Sequence, residues 1–376
     1  MKIVSVDVFP LSLPMKRTFR TAGGVVGDKN EGAPHLYVRL RSESGLDGWG
    51  EARPSHRWSY ETLESAESAI RKYIAPQLIG RSVYDLPSIR SSMNKEIAGS
   101  LHPGQPIAKA AVDTALYDLA AKAAGLRLNE LWLSPPKQDI RLSYLISTTD
   151  PKEAEKLAAA AAAQGYEGLD VKIGLRPELD ADIIHAAKQA APQLFFRVDA
   201  NQAYDYGQAL KIGRVLERAG ADVFEQPLKA SDLHGHAALR RKLDLPIALD
   251  ESIWTPRDVM HAIRAEACDT VVIKLTKMGG FTGAKLCGEI AAETGLGLLG
   301  GGLTESGLGL TASARLFQYL NIQTPVDLNG PMFLADDPLA NGPVVENGKA
   351  KLPDGLGIGC TIAEDKLTQY GVEITQ

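Results

Sequence analysis

The hydrophobic pattern of the first 51 residues has the two-residue period of β-strands. Apolar and polar side chains alternate in KIVSVDVFPL (2–11) and again in HLYVRLRS (35–42). Glycines at positions 45, 48 and 50 indicate a hairpin region directly after the second stretch. The pattern therefore predicts that the chain opens with β-structure.

Helical periods replace the strand period further along the chain. The stretch 60–78 has helical spacing and starts after Ser59, a residue type that caps helices. The alanine-rich stretch 106–124 ends at Gly125, which is typical of a helix stop. Strands followed by helices predict a small α+β domain over residues 1–130.

From about residue 140, short apolar strands alternate with helices. This order predicts an α/β fold with a buried parallel sheet. A closed barrel is favoured over an open doubly wound sheet, because eight strands recur at a near-constant interval and no Gly-rich phosphate loop follows the first of them. The predicted strands are LSYLIS (142–147), LDVKI (169–173), FFRVD (195–199), DVFEQ (222–226), PIALD (246–250), TVVIK (270–274), LGLLG (296–300) and TPVDL (324–328).

The change of pattern predicts three parts. Residues 1–130 form the α+β domain, and residues 131–330 form the barrel. The Gly/Pro-rich residues 331–376 are expected to pack back on the first domain.

Charge and cysteine content narrow the classes of partner. The 376 residues carry 41 basic and 46 acidic side chains, and the chain has no long basic run, so nucleic acid and anionic membranes are not expected partners. The three cysteines are widely spaced and predict no disulfide framework, which favours a cytoplasmic location. The alternating N-terminus is interpreted as a strand and not as a signal peptide.

Three carboxylates stand where three successive strands end. Asp199, Glu225 and Asp250 follow one another at intervals of 26 and 25 residues, one strand–helix unit apart, at the barrel end where active sites form. Unpaired, they would repel one another, and a hard divalent cation removes that repulsion. The sequence therefore predicts a Mg²⁺ site, with Mn²⁺ possible. The alternative is that such acids cap the following helices or pair with arginines.

Two lysines end strands that lie across the barrel from each other. Lys172 ends the second strand and Lys274 the sixth, four strands apart in an eight-stranded barrel. A lysine can act as a general base when its neighbours depress its pKa. The alternative is that either lysine only pairs with the acids. Lys277, one turn past its strand, is expected at the surface.

At these residues the sequence resembles the enolase superfamily, and within it the muconate-lactonizing subgroup (muconate cycloisomerase and mandelate racemase-like). The resemblance rests on VKIG, VDANQAY, EQPL, LDES, IKLTKMGG and GGLTESGLG, and it covers nearly the whole chain. It implies a modified TIM barrel, (β/α)₇β, with an N-terminal α+β capping domain completed by the C-terminal tail. It also implies Mg²⁺ on Asp199, Glu225 and Asp250, with Lys172 and Lys274 as the acid/base pair.

The same resemblance implies that the capping domain contacts the substrate. The Gly-rich segment 21–28 is the expected lid, and the loop 53–60 is a second candidate, with His56 and Trp58 facing the substrate or merely the solvent. The family usually has Lys-x-Lys at the end of strand two, where this chain has Asp170-Val171-Lys172. Asp170 shares a face with Lys172, so it either disfavours a second substrate carboxylate or holds Lys172 in position.

The leading hypothesis is a Mg²⁺-dependent isomerase that abstracts the proton next to a substrate carboxylate through an enolate, in the manner of a muconate cycloisomerase. The alternatives are a racemase or epimerase of an amino acid derivative (dipeptide, N-acyl amino acid or proline betaine) and a lysine Schiff-base barrel enzyme. The expected partners are a small-molecule carboxylate and further copies of the chain. The predicted substrate-binding or supporting residues are Asp170, Asn201, Glu251, Asp327, Glu305, His56 and Trp58.

Overall fold

The chain opens with a three-stranded antiparallel sheet, as seen in a computed structural model that describes residues 1–100 and 103–374. The strand order is β1-β4-β5. A short separate hairpin, β2–β3, lies between β1 and β4 in the sequence. The predicted β-structure is therefore present. The strands are β1 (Ile3–Leu13), β2 (Phe19–Thr21), β3 (Gly24–Gly27), β4 (Ala33–Ser42) and β5 (Asp47–Ala52).

The first helix begins three residues later than its pattern predicts. Thr62 caps it, because its hydroxyl accepts a hydrogen bond from the Ser65 amide at 3.2 Å, whereas the Ser59 hydroxyl accepts one from the Glu61 amide inside a turn. The expectation of Ser59 as the cap was wrong. The elements that follow the sheet are α1 (Leu63–Ser68), a π-helical turn (Ala69–Ile74), α2 (Ala75–Leu78), α3 (Leu86–Glu96), α4 (Pro106–Ala123) and a 3₁₀ turn (Leu128–Trp132).

The three glycines lie in the predicted hairpin region, which is the antiparallel pair β4–β5, but they serve it in different ways. Gly45 is in the turn before β5, with a φ of +81°, but Gly48 and Gly50 lie within β5. A Cβ on Gly50 would overlap the carbonyl oxygen of Ala111, and one on Gly48 would overlap that of Ala115. The reason for these two glycines is therefore the close approach of α4 to the sheet.

We expect Gly50→Ala to lower the free energy of unfolding by roughly 1–3 kcal/mol, because the added methyl group forces α4 away from β5. Gly207→Ala is the matched control, since Gly207 is exposed in a helix and the nearest atom to its added Cβ is a carboxylate oxygen at 3.4 Å. That control should be neutral or slightly stabilising. Urea unfolding of both variants measures the difference, and equal stabilities would contradict the packing argument.

The barrel consists of seven parallel strands in the sequential order β7 to β13, each followed by a helix. The strands are β7 (Ser143–Ser147), β8 (Gly168–Lys172), β9 (Phe195–Asp199), β10 (Val223–Glu225), β11 (Ile247–Leu249), β12 (Thr270–Ile273) and β13 (Gly297–Gly300). The helices are α5 (Pro151–Ala163), α6 (Asp180–Ala190), α7 (Tyr206–Ala219), α8 (Leu233–Arg240), α9 (Pro256–Arg264), α10 (Phe281–Glu293) and α11 (Gly307–Tyr319).

The eighth strand is reduced to two residues. Val326 forms a parallel bridge to Leu142 just before β7, and Asp327 forms one to Gly301 just after β13. These two residues close the sheet into a barrel, so the predicted fold class is confirmed, although the predicted strand 324–328 is much shorter. All strands point the same way, which gathers their carboxyl ends at one mouth.

The C-terminal residues return to both earlier parts of the chain. Gly371 bridges to Leu11 of β1 and Leu334 to Met15, whereas β16 pairs with the short β6 ahead of the barrel. These contacts support the division into 1–130, 131–330 and 331–376, which we keep as a proposal. The remaining elements are β6 (Asp139–Arg141), α12 (Gly330–Phe333), β14 (Leu339–Asn341), β15 (Val344–Glu346), β16 (Lys349–Lys351), β17 (Thr361–Ile362) and α13 (Glu364–Gln369).

Cys268 and Cys287 are buried, Cys360 is half-buried, and all three are free. None of the helices within residues 1–100 and 103–374 is both long enough and apolar enough to span a membrane.

Candidate active site

The strand register brings the three predicted metal ligands onto one inner face. Glu225 on β10 pairs with Asp199 on β9 and with Ala248 on β11. Asp250 comes two residues after Ala248, so its side chain points to the same side. The three carboxylates are fully buried, with no exposed surface. Three neighbouring strands therefore present one acid each to the barrel mouth.

Each of these carboxylates has a basic partner. The Lys172 ammonium donates to Asp199 Oδ2 at 2.7 Å, and Arg197 pairs with Glu225. Asp250 is shared, because Lys274 contacts its Oδ2 and Lys277 its Oδ1, both at 2.6 Å. Burial raises the pKa of Asp250, but the two lysines outweigh that effect and hold it below its usual range.

Lys277 is buried and not at the surface, which corrects the sequence-based expectation. It has no exposed surface. The chain after β12 makes a helical turn in which the Met278 amide donates to the Lys274 carbonyl. Residues three apart on such a turn lie on one side. Lys277 therefore reaches Asp250 from the same side as Lys274.

Lys172 lies among three carboxylates. Its Nζ is 3.1 Å from Asp170, 2.7 Å from Asp199 and 3.9 Å from Asp327. Burial lowers its pKa, but these carboxylates raise it well above the usual lysine value. Asp170 is fully buried, and Arg197 Nε approaches the same Oδ2 atom to 3.8 Å. The contact between Asp170 and Lys172 suits the second of the two roles that the position of Asp170 predicts, that of holding Lys172 in position.

A small cavity joins Lys172 and Lys274 and is roofed by the N-terminal hairpin. Its volume is about 20 Å³, roughly the room for one water molecule. The Trp58 ring lies over the Lys274 ammonium, 4.8 Å from centroid to nitrogen, and packs against Trp254 at 5.5 Å. His56 is exposed and does not line this cavity. The lining residues are Phe19, Thr21, Val26, Trp58, Lys172, Asn201, Lys274, Gly302, Leu303, Asp327 and Asn329.

Asn201 connects the carboxylates that lie at the ends of β9 and β11 by hydrogen bonds. The Asn201 side-chain amide donates to Asp199 at 3.0 Å and to Glu251 at 3.2 Å. Burial and the nearby Asp250 and Asp199 raise the pKa of Glu251 to about 8. Asn201 has a φ of +41°, a conformation that asparagine tolerates better than most residues. The pair thus fixes the turn after β9.

Glu305 supports the part of the cavity wall that Leu303 forms. Its two carboxylate oxygens accept from the Thr276 hydroxyl and from the Leu303 amide, each at 2.7 Å. Leu303 lines the cavity, but Glu305 itself does not. Glu305 therefore acts in this structure by holding the loop after β13.

Sequence reasoning missed three residues of the site. Arg197 precedes Asp199 by two positions on β9 and so faces the same side, a signal that was available in FFRVD. Asn329 follows Asp327 by two and donates to it at 2.9 Å. Gln226, with a φ of +37°, accepts from the Asp250 amide at 2.8 Å, a contact that no local pattern indicates.

The residues present fit a divalent cation, although the carboxylates are turned toward basic side chains here. No three His, Cys, Asp or Glu side chains within residues 1–100 and 103–374 are already arranged as ligands of one ion. However, Glu225 Oε1 is buried without a hydrogen-bond partner. Burial and repulsion from Asp199 and Asp250 raise the pKa of Glu225 to about 8, a repulsion that a bound cation would relieve.

The charge balance of the site leads to the same conclusion. Six buried carboxyl groups face four buried basic groups, and the two whose pKa is raised to about 8, Glu225 and Glu251, would add an excess of two negative charges on ionising. A divalent ion such as Mg²⁺ would neutralise that excess with oxygen ligands. The carboxylates are Asp170, Asp199, Glu225, Asp250, Glu251 and Asp327, and the basic groups are Lys172, Arg197, Lys274 and Lys277.

Known proteins resemble this chain over nearly its full length. A family model described as "Mandelate racemase / muconate lactonizing enzyme, N-terminal domain" matches residues 5–132, and one described as "Enolase C-terminal domain-like" matches 152–366. The L-Ala-D/L-Glu epimerase of Clostridium acetobutylicum is 30% identical over 363 residues, which cover 96% of this chain and 98% of the relative.

Two solved structures are similar in fold. The dipeptide epimerase from Enterococcus faecalis V583, complexed with Mg and L-Leu-L-Tyr, superposes with a TM-score of 0.89 at 28% identity, covering 96% of this chain and 100% of its own. The muconate lactonizing enzyme from Pseudomonas fluorescens, complexed with muconolactone, gives 0.92 at 27% identity, with 99% of each chain covered.

Proposed function

Because the chain belongs to the mandelate racemase / muconate lactonizing enzyme family and is an isomerase of the enolase superfamily, we propose that it moves the proton on the carbon next to the carboxylate of a small substrate. The observation that carries this proposal is that Lys172, which ends β8, and Lys274, which directly follows β12, line one cavity from opposite walls. Two amine groups in that arrangement suit proton transfer to and from a single carbon.

Asp199, Glu225 and Asp250 are the proposed ligands of a Mg²⁺ ion, and Mn²⁺ would suit the same oxygens. Enzymes of this superfamily use Mg²⁺, and when bound it would supply positive charge that stabilises an enolate. The chain's own lysines would carry the proton. One of them, in its neutral form, takes the α-proton, and the other, as an ammonium, returns a proton to the opposite face.

The charges that line the cavity favour a substrate with a cationic nitrogen. Lys172 and Lys274 are the basic side chains among the lining residues that the structure describes. Both already face carboxylates, so a second substrate carboxylate would find no additional cation. Asp327, held by Asn329, presents a carboxylate to the cavity. We therefore propose epimerisation of an amino acid derivative, such as a dipeptide or a proline betaine, ahead of cycloisomerisation, which the sequence alone ranked first.

Cycloisomerisation stays the second candidate. The similarity to the muconate lactonizing enzyme of P. fluorescens extends over 99% of the chain. In that reaction one lysine exchanges a proton, and the other acts through its charge. The Schiff-base alternative has less support, because the relatives named above are epimerases and a muconate lactonizing enzyme, and because a Schiff base would leave the three buried carboxylates at the strand ends without a role.

The experiment is incubation of the protein with Mg²⁺ in D₂O, followed by ¹H NMR of the α-proton. The panel contains dipeptides, proline betaines, N-acyl amino acids and cis,cis-muconate. We expect exchange and inversion with a cationic substrate, and loss of both after treatment with a chelator. Lactone formation from muconate alone would favour the second candidate. Borohydride-trapped covalent adducts with no effect of the chelator would overturn the proposal.

A further inference from the structure

A second and larger cavity lies outside the barrel, at the base of the hairpin that roofs the active site. Its volume is about 580 Å³, within the range of cavities that hold small molecules, and it shares no lining residue with the active-site cavity. Its walls come from the segment before β2, from the start of the barrel and from the β15–β16 hairpin. The lining residues used below are Lys16, Arg17, Tyr144, Tyr166, Leu328 and Asn347.

The cavity wall is basic. Lys16 and Arg17 belong to the lining, and no Asp or Glu does among the residues that the structure describes. Lys16 donates to the carbonyl of Pro331 at 2.7 Å. Arg17 makes no hydrogen bond or ion pair with any described residue, and its Nε is buried without a partner. A guanidinium with an unsatisfied buried N–H suits a planar anion such as a carboxylate.

The guanidinium is held in place by an aromatic ring. Arg17 lies over Phe333 at 4.6 Å from the ring centroid, so its position does not depend on a ligand. The cavity lining includes two more rings, Tyr144 and Tyr166, packed edge to face at 5.1 Å. A fixed cation beside an apolar and aromatic surface would bind a ligand in which a negatively charged group is attached to a flat or apolar body.

We propose that this cavity binds a small organic anion, namely a carboxylate attached to an aromatic or aliphatic body. The assignment does not depend on the reaction proposed for the active site. It uses residues that the barrel chemistry leaves without a role, and Arg17 in particular. The amide of Asn347 and the tyrosine hydroxyls offer further hydrogen bonds to such a ligand.

The second cavity adjoins two chain segments that also form walls of the active-site cavity. Leu328 lines this cavity, whereas its neighbours Asp327 and Asn329 line the active-site cavity. Phe333, under the Arg17 guanidinium, packs on Phe19 at 4.5 Å, and Phe19 belongs to the roof of the active site. An anion bound here would therefore stabilise the segments that carry both walls.

The test is calorimetric titration of the full-length protein with benzoate. Arg17→Gln should weaken benzoate binding about tenfold or more, because it removes a charge-assisted hydrogen-bond donor. Arg20→Gln is the matched control, since Arg20 is exposed on β2 and outside the lining, and it should bind as the wild type does. Lys274→Ala should also leave this binding unchanged, because Lys274 lines the other cavity.

A second variant tests the charge without removing any side chain. Asn347→Asp keeps the size of the residue and suits its turn, where φ is +50°, but it adds a negative charge to the cavity wall and should weaken benzoate several-fold. Equal binding by wild type and Arg17→Gln, no benzoate binding at all, or binding lost only in Lys274→Ala would each overturn the proposal. Inorganic phosphate bound as tightly as benzoate would overturn the part that assigns an apolar body.

Discussion

Lys274→Ala is expected to lower α-proton exchange at one face of the substrate by roughly 10²–10⁴-fold, which is the usual contribution of a general acid or base. Lys274 follows β12 and Lys172 ends β8, so each reaches the shared cavity from its own wall. Removing one amine leaves the other in place on the opposite face. The variant should therefore exchange the α-proton of one stereoisomer and invert neither.

The measurement is deuterium incorporation at the α-carbon of each separate stereoisomer, followed by NMR. Lys172→Ala should show the reverse preference, and Lys229→Ala, which removes an exposed lysine, should behave like the wild type. Undiminished incorporation into both stereoisomers by Lys274→Ala would exclude the two-lysine arrangement. Asp250 keeps one basic partner in this variant, because Lys277 still pairs with its Oδ1, so the fold should persist at lower stability.

The barrel could be predicted from the sequence because its signals are periodic and local. Each apolar strand is followed by a helix, and a carboxylate or a lysine stands at or just after the end of each strand from β8 to β12. The observed strands fall within, or one residue beyond, the predicted stretches for seven of eight, for example Phe195–Asp199. The eighth strand is shorter than predicted. Only Val326 and Asp327 form bridges there, and local periodicity does not show how many residues of the stretch reach the neighbouring strands.

The unpredicted features depend on contacts between distant parts of the chain. Gly50 is a glycine because α4, some sixty residues later, passes over it. Lys277 was expected at the surface because local spacing cannot show that its turn folds over Asp250. The sequence allows two roles for Asp170, and the contacts that favour one of them come from Lys172 and Arg197, whose side-chain positions the local pattern does not give.

Asp250→Asn is expected to remove Mg²⁺ binding and to lower the free energy of unfolding by about 3–5 kcal/mol. The sequence alone assigns Asp250 only as a metal ligand. The structure adds the second effect, because Asp250 is the carboxylate shared by Lys274 and Lys277, and Lys277 has no exposed surface. Leaving a buried ammonium without its carboxylate has a cost of this size.

The two effects of Asp250→Asn can be separated by also removing the stranded lysine. In Asp250→Asn with Lys277→Met, the buried charge is gone, so part of the lost stability should return, whereas Mg²⁺ binding should not. Calorimetric titration with Mg²⁺ and urea unfolding measure the two quantities independently. Wild-type Mg²⁺ affinity in the single variant would remove Asp250 from the ligand set. Unchanged stability in the single variant would instead show that Lys277 does not depend on this carboxylate.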